Sequence, residues 1–288
     1  MSYLSYQFTV SPPEPGSEIL MALISDFGFE SFDFNDNGFS AYIKEESTSN
    51  IDMSEFVFDD FTFTCEITKI PLVNWNAEWE KNFEPVLVDD LLYIRAPFHE
   101  ANKTVKHEIV IMPKMSFGTG HHQTTRLVCK AMFETDFKNR RVLDMGCGTG
   151  ILAILAKFLG AKDILAIDID EWSVENSFEN CAANNCSDIA VKKGDIDFLG
   201  HEKPFDIIIA NINKNILKAH IPVYSNKLIP GGKLFLSGFF TTDMDELKAV
   251  SETNNLKFVS YKSENEWAMM LLEKSSCIPN ELGICLNV

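Results

Sequence analysis

Residues 140–150 read RRVLDMGCGTG, and residues 151–161 continue as ILAILAKFLGA. The apolar part of the first segment predicts a buried strand, and its three glycines predict a sharp turn. The second segment is almost wholly apolar over about three helical turns, which indicates a buried helix. The next apolar run, DILAIDID at 163–170, predicts another strand. Strand, glycine turn, helix and strand together predict a parallel β/α unit.

The β/α alternation continues towards the end of the chain. Further strands are predicted at 189–195, 204–212 and 231–239, with helices between them. Such near-continuous apolar strands are typical of a parallel sheet that is covered on both faces. Residues 256–274, LKFVSYKSENEWAMMLLEK, instead alternate around a polar turn. They predict an antiparallel hairpin at the edge of an α/β, Rossmann-like sheet.

The first 70 residues follow a different pattern. Strand and helix signals occur there in the order β-α-β-β-α-β, which is the plan of a small α+β, ferredoxin-like domain. The first helix is predicted to follow Ser17 and to stop at Gly28, and the second to lie within 52–60. Five apolar residues are expected on one face of the first helix: Ile19, Leu20, Leu23, Ile24 and Phe27.

A connecting region is predicted between the two architectures. LVNWNAEWEKNFEPV, at 72–86, has the pattern of a helix with Trp75 and Trp79 one turn apart, and two strands follow it. We interpret the two indoles as covering apolar surface at a domain junction. The predicted organisation is a 1–70 acidic recognition domain, a 71–115 linker helix with connecting strands, and a 116–288 catalytic domain.

The charge of the chain is strongly negative and unevenly distributed. Of the net charge of −17, residues 1–70 contribute −11, from 13 acidic residues and 2 lysines. This sign disfavours direct binding to nucleic acid and favours a basic protein partner, although an acidic surface can also serve solubility alone. The N-terminus, MSYLSYQFTV, lacks the pattern of a signal peptide, and no apolar run is long enough to span a bilayer. We therefore expect a cytoplasmic monomer with no membrane partner.

Seven cysteines occur without any CxxC pair. An odd number without metal-ligand spacing predicts free thiols in a reducing compartment. Cys181 and Cys186 are the closest pair, and their spacing disfavours structural zinc. We predict no metal site.

Polar groups follow four consecutive strands of the predicted sheet. Gly146 and Gly148 lie in the turn after the first strand, and Asp168, Asp195 and Asn211 lie at the ends of the next three. In open parallel sheets, ligands bind in the crevice at these carboxyl ends. A carboxylate at the end of the second strand can accept hydrogen bonds from both hydroxyls of an adenosine ribose. The second carboxylate, Asp195, can meet the amine of an adenine. The constellation therefore predicts an adenosine-containing ligand.

The glycine spacing distinguishes between such ligands. Dinucleotide loops usually have the pattern G-x-G-x-x-G, which places a pyrophosphate at the helix N-terminus. Here the pattern is G-x-G-x-G, and Asp144 precedes it. A carboxylate at that position suits the cationic amino-acid end of S-adenosylmethionine and would repel a pyrophosphate. S-Adenosyl-L-methionine is the predicted cofactor, and an NAD-dependent oxidoreductase is the alternative.

Three segments carry a resemblance to a known family. They are SFGTGHHQTTRLVCKAM at 116–132, DMGCGTGILAILAKFLGAKDILAIDID at 144–170 and IIIANI at 207–212. Together they resemble the ribosomal protein L-eleven (L11) methyltransferase family. This resemblance implies a substrate-recognition domain joined by a linker helix to a class I methyltransferase domain. It also implies methylation of the N-terminal α-amine and lysine ε-amines of that ribosomal protein.

The resemblance further implies roles for individual residues. The residues that would contact the cofactor are Thr125, Gly146, Asp168 and Asn211. Phe117 and Gly118 would lie over the methyl-donor end. Asn211 is the candidate catalytic residue, because its amide could orient the accepting amine. Another protein or a small amine as acceptor, and a non-catalytic cofactor-binding protein, remain as alternatives.

Two adjacent histidines lie in the first of these segments. His121 and His122 are poorly placed to share one metal ion, and no carboxylate partner is evident in the sequence. A general base is a further alternative. Packing or anchoring of the loop is the interpretation that we favour.

Overall fold

The computed structural model describes residues 3–47, 53, 56–70, 80, 82–114 and 116–276. The chain divides into two compact units, Met1–Phe83 and Glu84–Val288. The strands that follow the linker segment in sequence therefore belong to the second unit.

The first unit contains one four-stranded antiparallel sheet. Its elements are β1 (Tyr3–Ser11), α1 (Pro13–Ile24), β2 (Ser31–Asn35), β3 (Gly38–Lys44) and β4 (Thr62–Ile70). The strand order is β2-β3-β1-β4, so the first and last strands lie side by side, as the ferredoxin-like plan requires. Apolar residues from one face of this sheet pack with Leu20 and Ile24 of α1 into a single core.

The first helix differs from its prediction in two ways. It begins at Pro13, is interrupted by the extended backbone of Glu14 (φ −113°, ψ 133°), and continues from Pro15, a residue type that the first turn of a helix tolerates. Of the five apolar residues expected on one face, Leu20 and Ile24 are fully buried. The other three are exposed, Ile19 by 42%, Leu23 by 45% and Phe27 by 40%. Successive helical residues are about 100° apart, so positions 19 and 20 cannot both face the sheet.

Two further predicted helices are only partly covered by the described residues. Of the helix expected within 52–60, residues 56–60 are not helical, and residues 52, 54 and 55 lie outside the described part of the chain. Residues 71–79 and 81 also lie outside it, and with them the predicted roles of Trp75 and Trp79.

The second unit contains two sheets and five α-helices within the described residues. A small sheet consists of β5 (Val86–Val88), β6 (Leu92–Arg95) and β7 (His107–Val110). The large sheet consists of β8 (Arg141–Met145), β9 (Asp163–Asp168), β10 (Ala190–Lys193), β11 (Phe205–Asn211), β12 (Leu228–Phe240), β13 (Leu256–Glu264) and β14 (Trp267–Lys274). The helices are α2 (Gln123–Phe133), α3 (Ile151–Phe158), α4 (Glu171–Ala183), α5 (Lys214–Lys227) and α6 (Met244–Thr253).

No helix within the described ranges combines the length and apolarity needed to cross a bilayer.

The large sheet confirms the predicted fold class. Its order is β10-β9-β8-β11-β12-β14-β13, with parallel pairing from β10 to β12 and antiparallel pairing of β14 with both of its neighbours. Side chains alternate between two apolar clusters: Val142 belongs to one and Leu143 to the other. Helices pack against both clusters, one on each face of the sheet. The central strands need apolar residues on both faces because both faces are covered.

Asn180 of α4 and Asn184, which directly follows it, hold the segment after β7 in place. Asn184 accepts the backbone N–H of Val110 through Oδ1 at 2.8 Å and donates to the carbonyl oxygen of the same residue at 2.7 Å. Asn180 accepts the N–H of Met112 at 2.9 Å and donates to the carbonyl of Thr149 at 2.9 Å. Helix α4 thus ties the chain that follows β7 to the glycine turn.

The described cysteines are free thiols, as predicted. They are Cys65, Cys129, Cys147, Cys181 and Cys186. Cys277 and Cys285 lie outside the described residues.

Candidate active site

A cavity of about 550 Å³ opens at the carboxyl ends of the parallel strands in the second unit. Its volume lies within the range of small-molecule sites. Six of the predicted site residues line it: Phe117, Gly146, Gly148, Asp168, Asp195 and Asn211. Most of the remaining lining is apolar, including the side chains of Met145, Ile167 and Trp172. The strand-end residues that the sequence pointed to therefore share one crevice.

The turn after β8 needs glycine at two positions. Gly146 has φ +75°, and a Cβ there would lie 2.2 Å from Cγ2 of Ile212. Gly148 has φ +54°, and a Cβ there would lie 2.2 Å from the carbonyl oxygen of Phe117. Any larger residue would be strained and would collide with its neighbours. The backbone therefore comes close to the cavity without side chains in the way.

Asp168 holds this turn in place while it faces the cavity. Its Oδ2 accepts the backbone N–H of Gly148 at 2.9 Å, and its Oδ1 accepts the N–H of Asp170 at 3.1 Å. Each carboxylate oxygen can accept about two hydrogen bonds. One acceptor position on each oxygen thus remains for a ligand.

The segment from Phe117 to Gly118 lies against the glycine turn. The N–H of Thr149 donates to the carbonyl of Phe117 at 2.9 Å, and the Thr149 hydroxyl donates to the carbonyl of Gly118 at 2.7 Å. Phe117 is 52% exposed and lines the cavity, whereas Gly118 does not. Gly118 therefore helps to fix the loop that carries Phe117.

Two buried oxygen atoms of the cavity lining lack partners. The Oδ1 of Asn211, at the end of β11, has no hydrogen bond within the described part of the protein. The same holds for Oγ of Ser116. Buried polar atoms are usually paired, because an unpaired one costs about 1–3 kcal/mol. A polar ligand in this cavity would satisfy both atoms.

Thr125 and Asp144 lie behind the cavity lining. Thr125 is 1% exposed, and its neighbour Thr124 lines the cavity. Asp144 is fully buried on the face of β8 opposite to that of Met145, and its Oδ2 accepts the N–H of Ala153 at 3.1 Å. The alternation of side chains along a strand explains this placement. Asp144 is not part of the cavity lining, so any effect of its charge on a cationic ligand would be indirect. That effect would pass through the glycine turn and the start of α3, where Ala153 donates to it.

Burial also changes the acidity of Asp144. Desolvation raises the pKa of Asp144 to about 7, the hydrogen bond from Ala153 lowers it, and the charge of Asp168 raises it further. The carboxyl group is therefore partly protonated near neutral pH.

We expect Asp144→Asn to remove a pH dependence of stability. The folded pKa of Asp144 is raised, so the stability associated with its proton is present below about pH 4 and is lost as pH rises to about 7. Wild type should lose at most about 1.4 kcal/mol per pH unit in this window relative to the variant. Thermal unfolding of both proteins at several pH values measures this difference. A difference that stays constant with pH would contradict it.

The two histidines anchor the loop, and Nε2 of His121 lies 2.9 Å from the carbonyl oxygen of Glu84. Nδ1 of His122 accepts the backbone N–H of Thr124 at 3.3 Å, which caps α2. Its ring lies 5.2 Å from that of Phe117 and 4.7 Å from that of Trp267, between centroids. Burial, aided by the charge of Arg126, lowers the pKa of His122. These contacts support a packing role for a neutral ring.

Several lining residues were not among the predicted ones. They include Ser116, Thr124, Trp172, His220, Ile212 and Trp267. Ser116 and Thr124 flank predicted residues, so sequence proximity could have indicated them. Trp267 begins β14, and only the antiparallel return of the terminal hairpin brings it to the cavity.

Comparison with known proteins identifies the family to which the chain is similar. A family model described as "Ribosomal protein L11 methyltransferase (PrmA)" matches residues 30–275. The ribosomal protein L11 methyltransferase of Bacteroides thetaiotaomicron is 42% identical over 274 residues, which cover 93% of this chain and 98% of that protein. The one from Porphyromonas gingivalis is 40% identical over 281 residues, covering 94% and 97%.

A solved structure shows the same similarity. The crystal structure of a ribosomal protein L11 methylase from Lactobacillus delbrueckii subsp. bulgaricus matches with a TM-score of 0.60 at 28% identity. The match covers 67% of this chain and 100% of that one.

Proposed function

Because the chain belongs to the ribosomal protein L11 methyltransferase family, we propose that it methylates the N-terminal α-amine and lysine ε-amines of ribosomal protein L11. We further propose S-adenosyl-L-methionine as the methyl donor, bound in the 550 Å³ cavity. One observation carries this proposal most directly: a glycine turn, a carboxylate at the end of β9 and an unpaired amide oxygen at the end of β11 line a single crevice.

The residues present fit this donor. The glycine positions leave a backbone cradle that a Cβ would fill, and the free acceptor positions of Asp168 suit the two hydroxyls of a ribose. Asp195 lies at the same cavity and suits the adenine amine. The hydroxyl of Ser116 suits a polar group of the amino-acid end. When bound, the donor supplies an electrophilic methyl group and a good leaving group.

The task of the protein is then mainly positioning. Asn211 is fixed by β11, which pairs with β8 on one side and with β12 on the other. Its unpaired Oδ1 can accept an N–H of the incoming amine and so aim the nitrogen lone pair at the reacting carbon. Positioning of this kind can lower a barrier by several kcal/mol.

Proton removal needs no dedicated side chain in this proposal. The amine must be neutral to react, and a free lysine with a pKa of about 10.4 is neutral in only about one molecule in a thousand at pH 7.4. An α-amine with a pKa near 8 is closer to neutrality. The apolar walls, among them Trp172 and Ile216, disfavour the charged amine and would lower its pKa. The proton can therefore leave to water before attack.

Mass spectrometry of ribosomal protein L11 after incubation with labelled S-adenosylmethionine tests the proposal. We expect mass increases in steps of one methyl group on the N-terminal peptide and on lysine peptides. Ribosomal protein mixtures without L11 are the control. Label that appears only on other proteins or on small amines would overturn the proposed acceptor. Calorimetry with NAD in place of the methyl donor tests the oxidoreductase alternative, and we expect no binding.

A further inference from the structure

The first unit has a cavity of its own, of about 680 Å³, between the first turns of α1 and the β2–β3 hairpin. Glu14 and Glu18 line it from the helix, and Asp36 lines it from the hairpin turn. Ser17 and Phe34 also contribute to its lining. The site described above does not use these residues.

The three carboxylates of this cavity are not neutralised within the described part of the chain, where none of them forms an ion pair. The two lysines of residues 1–70 are engaged elsewhere, Lys44 with Glu30 and Lys69 with Glu45. The cavity therefore has an unbalanced negative charge.

Ser17 gives an independent indication of a ligand. It lines the cavity, is only 4% exposed, and its Oγ has no hydrogen-bond partner within the described residues. A buried hydroxyl without a partner is unfavourable in a folded protein. A donor group that enters the cavity would satisfy its oxygen.

The arrangement suits an organic cation. In the described residues no three carboxylate, histidine or cysteine side chains are close enough to hold a metal ion. Phe34 is 56% exposed at the cavity and offers apolar surface to the carbon stem of a long basic side chain, whose charged end can then lie among the polar groups.

We propose that this cavity binds a lysine or arginine side chain of the methyl-accepting protein, and so contributes to its recognition. The proposal rests on the proposed function, since it needs a protein acceptor. Glu14, Glu18 and Asp36 attract the cation, and the Ser17 hydroxyl accepts one of its N–H groups.

A charge-matched pair of triple variants tests the proposal. Glu14→Gln/Glu18→Gln/Asp36→Asn should raise the KM for ribosomal protein L11 about tenfold and leave kcat unchanged. The control variant, Asp26→Asn/Glu46→Gln/Glu66→Gln, removes the same charge from exposed positions outside the cavity. Its KM should change less than about twofold, because distant exposed charges are screened by salt. Equal KM values in the two variants would overturn the proposal.

A second measurement does not depend on methyl transfer. In titrations with n-butylammonium followed by NMR, amide signals of Ser17, Phe34 and Gly38 should shift in wild type but not in the cavity variant. Ser17→Ala should weaken these shifts without lowering the melting temperature, because the free protein loses an unpaired hydroxyl. Absence of shifts in wild type overturns the cation site. If wild type fails to methylate L11 but the shifts occur, the proposed function fails and the cation site stands.

Discussion

Asn211→Ala is expected to lower the single-turnover rate of methyl transfer about 100-fold, with less than a threefold change in affinity for S-adenosylhomocysteine. The reason is that Oδ1 of Asn211 is buried and unpaired at the cavity, so it can orient an amine without a competing partner. Loss of orientation at a reacting centre typically costs about two orders of magnitude. Rapid-quench kinetics with saturating donor and calorimetry with the product measure the two quantities separately.

Asn213 offers the matched control. It lines the same cavity, but its Oδ1 accepts the N–H of Asn215 at 2.9 Å and caps α5. Asn213→Ser retains a capping oxygen, so its turnover should fall less than about tenfold. If Asn211→Ala lost rate and cofactor affinity to the same extent, the orienting role would be contradicted.

Asp168→Ala is expected to weaken binding of S-adenosylhomocysteine at least about 100-fold. The variant loses a charged acceptor for two ribose hydroxyls, and such hydrogen bonds are each worth about 1.5–3 kcal/mol. It also leaves the N–H groups of Gly148 and Asp170 without their present acceptors. Isothermal titration calorimetry measures the affinity, and the melting temperature reports the loss of the turn contacts.

Asp170→Asn serves as the control for this loss. Asp170 also lines the cavity, so the variant removes one negative charge at nearly the same place. Its affinity should stay within about threefold of wild type, because the Asp168 contacts remain. Comparable losses of affinity in both variants would contradict this role. They would show that the net negative charge of the site determines affinity, and not the hydrogen bonds of Asp168.

The strand-end residues were predictable because the architecture itself brings them together. Parallel strands all end at the same edge of a sheet, so Gly146, Asp168, Asp195 and Asn211 converge once the β/α alternation is recognised. The position of Asp144 was harder to foresee. Asp144 and Met145 end β8 and point to opposite faces of the sheet. The sequence does not show which of these two side chains faces the ligand, because the glycine turn follows them directly.

Other features depend on tertiary structure that no local pattern contains. Trp267 reaches the cavity only through the pairing of β14 with β12, whose register includes a bulge between Ser237 and Phe239. The burial of individual residues in α1 was likewise not predictable. Its apolar residues cover more than one side of the helix, and the sequence does not show that the side of Leu20 would be buried and that of Leu23 exposed.

The carboxylate at the ribose pocket also accepts the backbone N–H of Gly148. One side chain therefore both shapes the turn and offers acceptor positions to a nucleoside, and the two tasks use different acceptor positions. Rigid inhibitors that match the ribose pocket should then bind without displacing the turn. Compounds that depend on remodelling this turn would first have to break a contact made by the very carboxylate they seek.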